Sequence, residues 1–164
     1  MKLEKQKRND FDIWLNENGA IYSIIPVPKN LCYHFCLPET FYQTILQLGS
    51  CGNSLRYLIK QKYPDTILTD VDVEDYSEYS DNFIQDDAYS FIKTTVIEYD
   101  YSIVDLATTD DVCDFITELD FQLNLKRISK QGVINCGSNY KDFSLLKCTK
   151  KIKAEGNHLY FWER

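Results

Sequence analysis

Two acids and one small-residue turn are the parts of this chain with the clearest chemical use. Thr44-Ile-Leu-Gln-Leu-Gly-Ser-Cys-Gly-Asn-Ser-Leu55 leads an apolar run into a turn of small residues. Ile67-Leu-Thr-Asp-Val-Asp72 follows as a second apolar run that ends in an acid. In a doubly wound sheet this order holds a nucleoside: glycine lets the backbone approach the ligand, and the acid accepts hydrogen bonds from ribose hydroxyls. A further acid, Asp105, closes the run Tyr101-Ser-Ile-Val-Asp-Leu106. A carboxylate at the end of a strand can hold a cation or accept a proton.

Charge points the same way. From Tyr63 to Ile92 there is no Lys or Arg, while Asp65, Asp70, Asp72, Glu74, Asp75, Glu78, Asp81, Asp86 and Asp87 all fall there. An acidic rim attracts polyamines or a sulfonium nucleoside. The plain alternative is a solvated acidic face. Tyr76, Tyr79 and Tyr89 are interleaved with these acids. They can stack on a base or serve as ordinary packing aromatics.

Cys32-Tyr-His-Phe-Cys36 brings two thiols and an imidazole together. A structural zinc site needs a fourth ligand, usually from a second pair. The other histidine is His158, and no second cysteine pair has ligand spacing. The segment is therefore read as a plain strand with positions 32, 34 and 36 on one face. The six cysteines are scattered and several sit in apolar runs, which predicts reduced thiols rather than a disulfide framework.

The elements that must position these groups alternate. Ala20 to Ile25 reads as a strand between two turn signals, and residues 1–36 as an N-terminal β appendage or set of edge strands. From residue 37 to 164 the pattern is that of the main domain. Thr44 to Leu48 is its first strand. Ser54 to Tyr63 is a helix with Leu55, Leu58, Ile59 and Tyr63 near one face. Thr66 to Val71, Asn82 to Gln85, Tyr101 to Leu106 and Val133 to Cys136 are further strands. Asp87 caps a short helix through Ile92. Asp110 or Asp111 caps an amphipathic helix with Val112, Phe115, Ile116, Leu119 and Leu123 facing the core. Phe143 to Cys148 and Leu159 to Trp162, separated by Glu155-Gly-Asn157, read as an antiparallel hairpin. The expected architecture is an α/β three-layer sandwich: a mostly parallel, doubly wound sheet with a C-terminal antiparallel hairpin.

With 164 residues, 44% hydrophobic and 14% aromatic, the chain can build one ordinary core. A net charge of −7 removes the electrostatic footprint of nucleic-acid binding. The terminal lysine clusters, Lys2, Lys5 and Lys7 with Arg8, and Lys147, Lys150, Lys151 and Lys153, are read as solvated faces. No run approaches a membrane helix, and the N-terminus lacks the apolar core of a signal peptide. The expectation is a cytoplasmic protein with neither nucleic acid nor membrane as partner.

Taken in order, these segments resemble the class I S-adenosylmethionine-dependent methyltransferases, and among them the spermidine synthase (polyamine aminopropyltransferase) group. The resemblance runs from Leu37-Pro-Glu39 through Ile45-Leu-Gln-Leu-Gly49, Ser54-Leu-Arg-Tyr-Leu58 and Tyr63-Pro-Asp65. It continues in Val71-Asp-Val-Glu74, Asp87-Ala88 with Phe91, Tyr99-Asp100, Val104-Asp-Leu106, Gly132-Val-Ile-Asn135 and Gly156-Asn157. It implies that Gly49, with Ser50 and Gly52, lies against the methionine part of S-adenosylmethionine or its decarboxylated form. It further implies that Asp72, followed by Val73, holds the ribose, that Asp87 and Ala88 meet the adenine edge, and that Asp105 faces the reacting centre. A polyamine acceptor and a homodimer formed through the N-terminal strands are further implications.

The departures matter equally. Cys51 and Asn53 stand where the group has glycines, and Thr108 where it has a second aspartate. The spans from Asp72 to Asp87 and from Asn135 to Phe143 are short for regular crossovers. Two functions follow: transfer of an aminopropyl or methyl group from a sulfonium nucleoside, or a non-catalytic module that senses a ligand or binds a partner. A dinucleotide-dependent oxidoreductase fits the terminal hairpin and Asp87-Ala88 less well.

Overall fold

The computed structural model describes residues 4–19, 21–49, 53–74, 78–106 and 112–164. Apolar residues alternate along the central strands, and each strand buries both faces. Strand β4 (Thr44–Leu48) sends Ile45 to one side and Leu46 and Leu48 to the other. Strands β5 (Ile67–Asp72), β7 (Tyr101–Val104) and β8 (Gln131–Asn135) divide the same way, with Leu68, Ile103 and Val133 opposite Val71, Val104 and Ile134. Continuous burial of this kind requires helices on both faces of a parallel sheet.

Helix α2 (Ser54–Lys62) covers the first face with Leu55 and Ile59. Helices α3 (Ala88–Thr94) and α4 (Leu119–Ile128) cover the second, with Phe91, Ile92, Phe121, Leu125 and Ile128. β6 (Asn82–Gln85) forms one edge of the sheet. β9 (Lys147–Ala154) and β10 (Asn157–Glu163) make the terminal hairpin, so the order is β6-β5-β4-β7-β8-β10-β9. The first five strands are parallel, and β10 runs antiparallel to β8. The expected three-layer sandwich is present. Gly132 permits the close β7–β8 approach, because a Cβ there would collide with the Ser102 carbonyl.

The N-terminal residues form a separate three-stranded antiparallel sheet of β1 (Glu4–Arg8), β2 (Phe11–Leu15) and β3 (Ile21–Ile25). Ser23 on β3 joins it to the start of α2. The Ser23 and Ser54 hydroxyls are 3.0 Å apart, and the Asn53 N–H donates to Ser23 Oγ at 2.9 Å.

Three expectations are corrected. Cys32 to Cys36 is no strand: Tyr33–Cys36 is a single helical turn, α1. Leu37 precedes Pro38 and is extended, as proline demands of its neighbour, which ends the turn there. Next, the helix foreseen from Val112 to Leu123 is two pieces, a 3₁₀ turn at Asp114–Thr117 and then α4. Glu118 between them is extended and resets the helical phase, so Phe121, Leu125 and Ile128 point inward while Leu119 and Leu123 are exposed. Last, the first strand of the hairpin starts at Lys147 and runs to Ala154, later than foreseen from Phe143. The proposed cap residues Asp110 and Asp111 lie outside the described residues. Among the described residues, no helix is long and apolar enough to cross a membrane.

Candidate functional site

The carboxyl ends of the parallel strands collect most of the candidate residues on one edge of the sheet. Gly49 directly follows β4, with φ +81, and its N–H donates to the Val71 carbonyl at 2.9 Å. A Cβ at Gly49 would collide with the Asp105 carbonyl oxygen. The glycine therefore lets the β4 turn lie against the end of β7. Ser50, Cys51 and Gly52 lie outside the described residues.

Asp72 ends β5, and its Oδ1 accepts the Glu74 N–H at 3.1 Å. Its carbonyl accepts the Asp86 N–H, which brings the ends of β5 and β6 together. Val73 is exposed, and its carbonyl accepts from Gln85 Nε2. Asp87 is the N-cap of α3: its Oδ1 accepts the Ser90 N–H at 2.9 Å. Ala88 is buried in the core, so its side chain packs inward. Tyr79 packs edge-on against Tyr57, and Tyr89 stacks on Phe115, so each has a packing role; Tyr76 is outside the described residues.

Asp105 sits differently. Its N–H donates to the Leu48 carbonyl and extends the β4–β7 ladder by one residue. Its side chain is 5% exposed, and Oδ1 accepts from Asn135 Nδ2 at 3.0 Å. Asn135 ends β8, and its own Oδ1 accepts the Gly137 N–H at 3.1 Å, which fixes the amide with its NH2 toward Asp105. The two side chains line a cleft of about 260 Å³. Cys32 and Tyr33 wall it on one side, and Glu155 and Asn157 at the β9–β10 turn on another. Burial, then the charges of Asp105 and Glu155, push the Cys32 thiol up to about 12. Cys32 is thus a neutral wall and no nucleophile.

A charged pair is buried between α2 and the interior of β5. Arg56 on α2 and Asp70 on β5 are both fully buried, with Nε 3.0 Å from Oδ2. Arg56 Nη1 also donates to the Glu78 carbonyl at 3.2 Å. Burial pushes Asp70 up to about 7 against the pull of Arg56, and lowers Arg56.

Sequence reasoning selected Asp105 but gave Asn135, Cys32 and Glu155 no role in a site. Asn135 carried the signal that singled out Asp105, a polar residue closing an apolar strand. Glu155 carried none and Cys32 drew notice only as a metal ligand, because only the folded chain brings the hairpin turn and α1 to the end of β7.

No family model matches the sequence, and no curated protein matches it. Solved structures do match. A probable spermidine synthase from Corynebacterium glutamicum superposes with a TM-score of 0.72 at 14% identity, over 98% of this chain and 76% of that one. Spermidine synthase from Thermotoga maritima gives 0.65 at 10% identity, over 98% and 72%. Human methyltransferase-like protein 13, solved in complex with SAH, gives 0.60 at 16% identity, over 75% and 72%. The chain has the class I methyltransferase-like fold. Within it, the Asp105 cleft lies at the carboxyl ends of the central strands, the usual ligand edge of open α/β sheets.

Proposed function

We propose that the cleft holds a small organic cation, and that the protein is a transferase acting between a sulfonium nucleoside and an amine. The supporting observation is the buried Asp105 carboxylate, held by Asn135 at a cleft with Glu155 on its wall and, among the described lining residues, no Lys or Arg. A desolvated carboxylate beside a ligand cation is attractive in both ground state and reaction.

The nucleoside is S-adenosylmethionine or its decarboxylated form. The residues present fit it in part. Gly49 leaves no side chain at the turn, Asp72 and Asp87 stand in line along the edge, and Asp105 follows. The cleft is below the roughly 300–1,000 Å³ usual for ligand sites, so it suits the amine and the reacting end. When bound, the sulfonium supplies an electrophilic carbon and a thioether leaving group. Asp105 holds the amine in line with that carbon and accepts the proton lost as its nitrogen forms the new bond. Asn135 keeps Asp105 in place, and Cys32 and Tyr33 limit the entry of water.

A non-catalytic ligand-binding module is the second reading, favoured by Asn53. This residue is 3% exposed and its N–H is given to Ser23, so the end of the glycine turn is held by the N-terminal sheet. Calorimetric titration with S-adenosylmethionine, its decarboxylated form and the thioether products, with and without 1,4-diaminobutane, separates the readings. Saturable binding and formation of thioether product support transfer. Saturable binding without product supports the module. No heat with any ligand contradicts both.

A further inference from the structure

The buried Arg56–Asp70 pair has no part in the chemistry proposed above, yet it lies where several elements meet. Arg56 comes from the first turn of α2, directly after the small-residue turn. Asp70 is on β5, two residues before Asp72. Both side chains are shut off from solvent, and a buried ion pair is rarely retained for stability alone, because apolar residues of similar volume often serve as well.

What Arg56 does besides neutralising Asp70 is specific. Its Nη1 holds the Glu78 carbonyl at 3.2 Å, in the acidic crossover between β5 and β6. The same crossover is fixed at neighbouring points. Tyr79, at φ +71, packs on Tyr57 of α2. Asp81 Oδ2 accepts the Leu68 N–H at 2.7 Å and pairs with Lys60 of α2. Glu78 reaches Lys5 of β1 at 3.6 Å. The charge of Asp72 acts on both members of the pair. One guanidinium thus ties α2, the interior of β5 and residue 78 together, beneath the strand end that carries the ribose-facing acid.

We infer that Arg56 and Asp70 are a positioning pair for the nucleoside half of the site: they set Asp72 and the crossover from residue 78 to 81 in their ligand-ready arrangement without touching the ligand. The inference rests on the nucleoside reading above. A guanidinium suits the task, because its planar fork points its donors in fixed directions, whereas an ammonium on a flexible stem is a point charge.

The test compares wild type with Arg56→Met/Asp70→Leu, which replaces the pair by apolar residues, and with Arg56→Lys and Asp70→Asn, conservative variants that still report if the double variant does not fold. Hydrogen–deuterium exchange is followed over residues 78–86, and affinity is measured for S-adenosylmethionine and, separately, for 1,4-diaminobutane. The expected result is exchange at least tenfold faster in 78–86, with β4, β7 and β8 unchanged. Nucleoside affinity falls at least tenfold, and diamine affinity stays within twofold. Arg56→Lys falls between wild type and the double variant on both readouts. Unchanged exchange, or faster exchange with unchanged nucleoside affinity, overturns the inference and leaves the pair a packing feature. Wild-type protein that binds no nucleoside overturns the functional reading and the inference together, and that failure is visible before any variant is compared.

Discussion

The two halves of the sheet's carboxyl edge treat their acids in opposite ways. Along β5 and β6, Asp72 accepts from the Glu74 N–H, Asp81 from Leu68, Asp86 from Asp87, and Asp87 from Ser90, while Asp70 is locked to Arg56. These carboxylates answer the chain's own donors. Along β7 and β8, Asp105 has an amide partner in Asn135 but faces a cleft. Acid content along the sequence therefore misleads: nine acids crowd the first half, and the one best placed for a ligand is in the second. A carboxylate that caps a helix or closes a turn supports the fold whatever else it does, and one that lines a cleft is placed to meet a ligand. Substitutions in the first half should cost stability besides any nucleoside affinity, and substitution of Asp105 should cost amine binding with little stability.

The largest effect falls at the buried pair. At pH 8, where Asp70 is ionised beside its partner, Arg56→Met alone leaves a buried carboxylate unpaired and costs about 3–5 kcal/mol. Thermal melting reads this as a fall of roughly 10 °C, at about 2–4 °C per kcal/mol for a chain of this size. A fall of a degree or two would mean that water reaches Asp70. Next comes Asp105→Asn, which should weaken amine binding about tenfold, or about 1.4 kcal/mol. It leaves stability within about 1 kcal/mol, since Asn135 keeps an oxygen acceptor. Equal losses of stability and binding would erase the contrast between the halves. Asp87→Ala removes the cap of α3 and should cost about 1 kcal/mol, read by urea denaturation, with amine binding untouched.

A further effect is in the pH profile. Burial raises Asp70 to about 7, above the ordinary value of about 3.9. The folded chain then holds that proton more tightly than the unfolded one. The contribution of Asp70 is complete below about 4 and is lost as the pH rises through about 7. Asp100 runs the other way, because its bond to Lys130 lowers it; its contribution is present above about 3.9 and lost as the pH falls below that. Urea midpoints at pH 5 and pH 8 should differ less in Asp70→Asn than in wild type. An unchanged difference would show that Asp70 stays ionised across the range.

Much of the architecture was legible because period and punctuation agreed. The β4–α2–β5 unit combines buried runs, a small-residue turn and the Tyr63-Pro64 break. Asp87 three residues before Ser90 announced a cap, and Glu155-Gly156 announced the hairpin, where both residues take positive φ. The misses have physical causes too. Strand β1, Glu-Lys-Gln-Lys-Arg, is almost wholly exposed and carries no alternating pattern; pairing with β2 makes it a strand. The α4 phase was lost because a single extended residue, Glu118, broke a pattern that was continuous as text. The Arg56–Asp70 pair joins a helix to a strand fourteen positions later, and nothing local distinguishes it from solvated charge. For the site, strand ends marked Asp105 and Asn135, but the walls came from α1 and the hairpin turn, which only the tertiary fold delivers.

The most direct test of the Asp105 cleft as the ligand site is a crystal structure of the protein grown with 5′-methylthioadenosine and 1,4-diaminobutane. The amine should be found in the cleft with one ammonium within hydrogen-bond distance of Asp105, between Asn135 and Glu155. An empty cleft with the amine bound elsewhere, or a cleft filled by side chains of the protein itself, would contradict it.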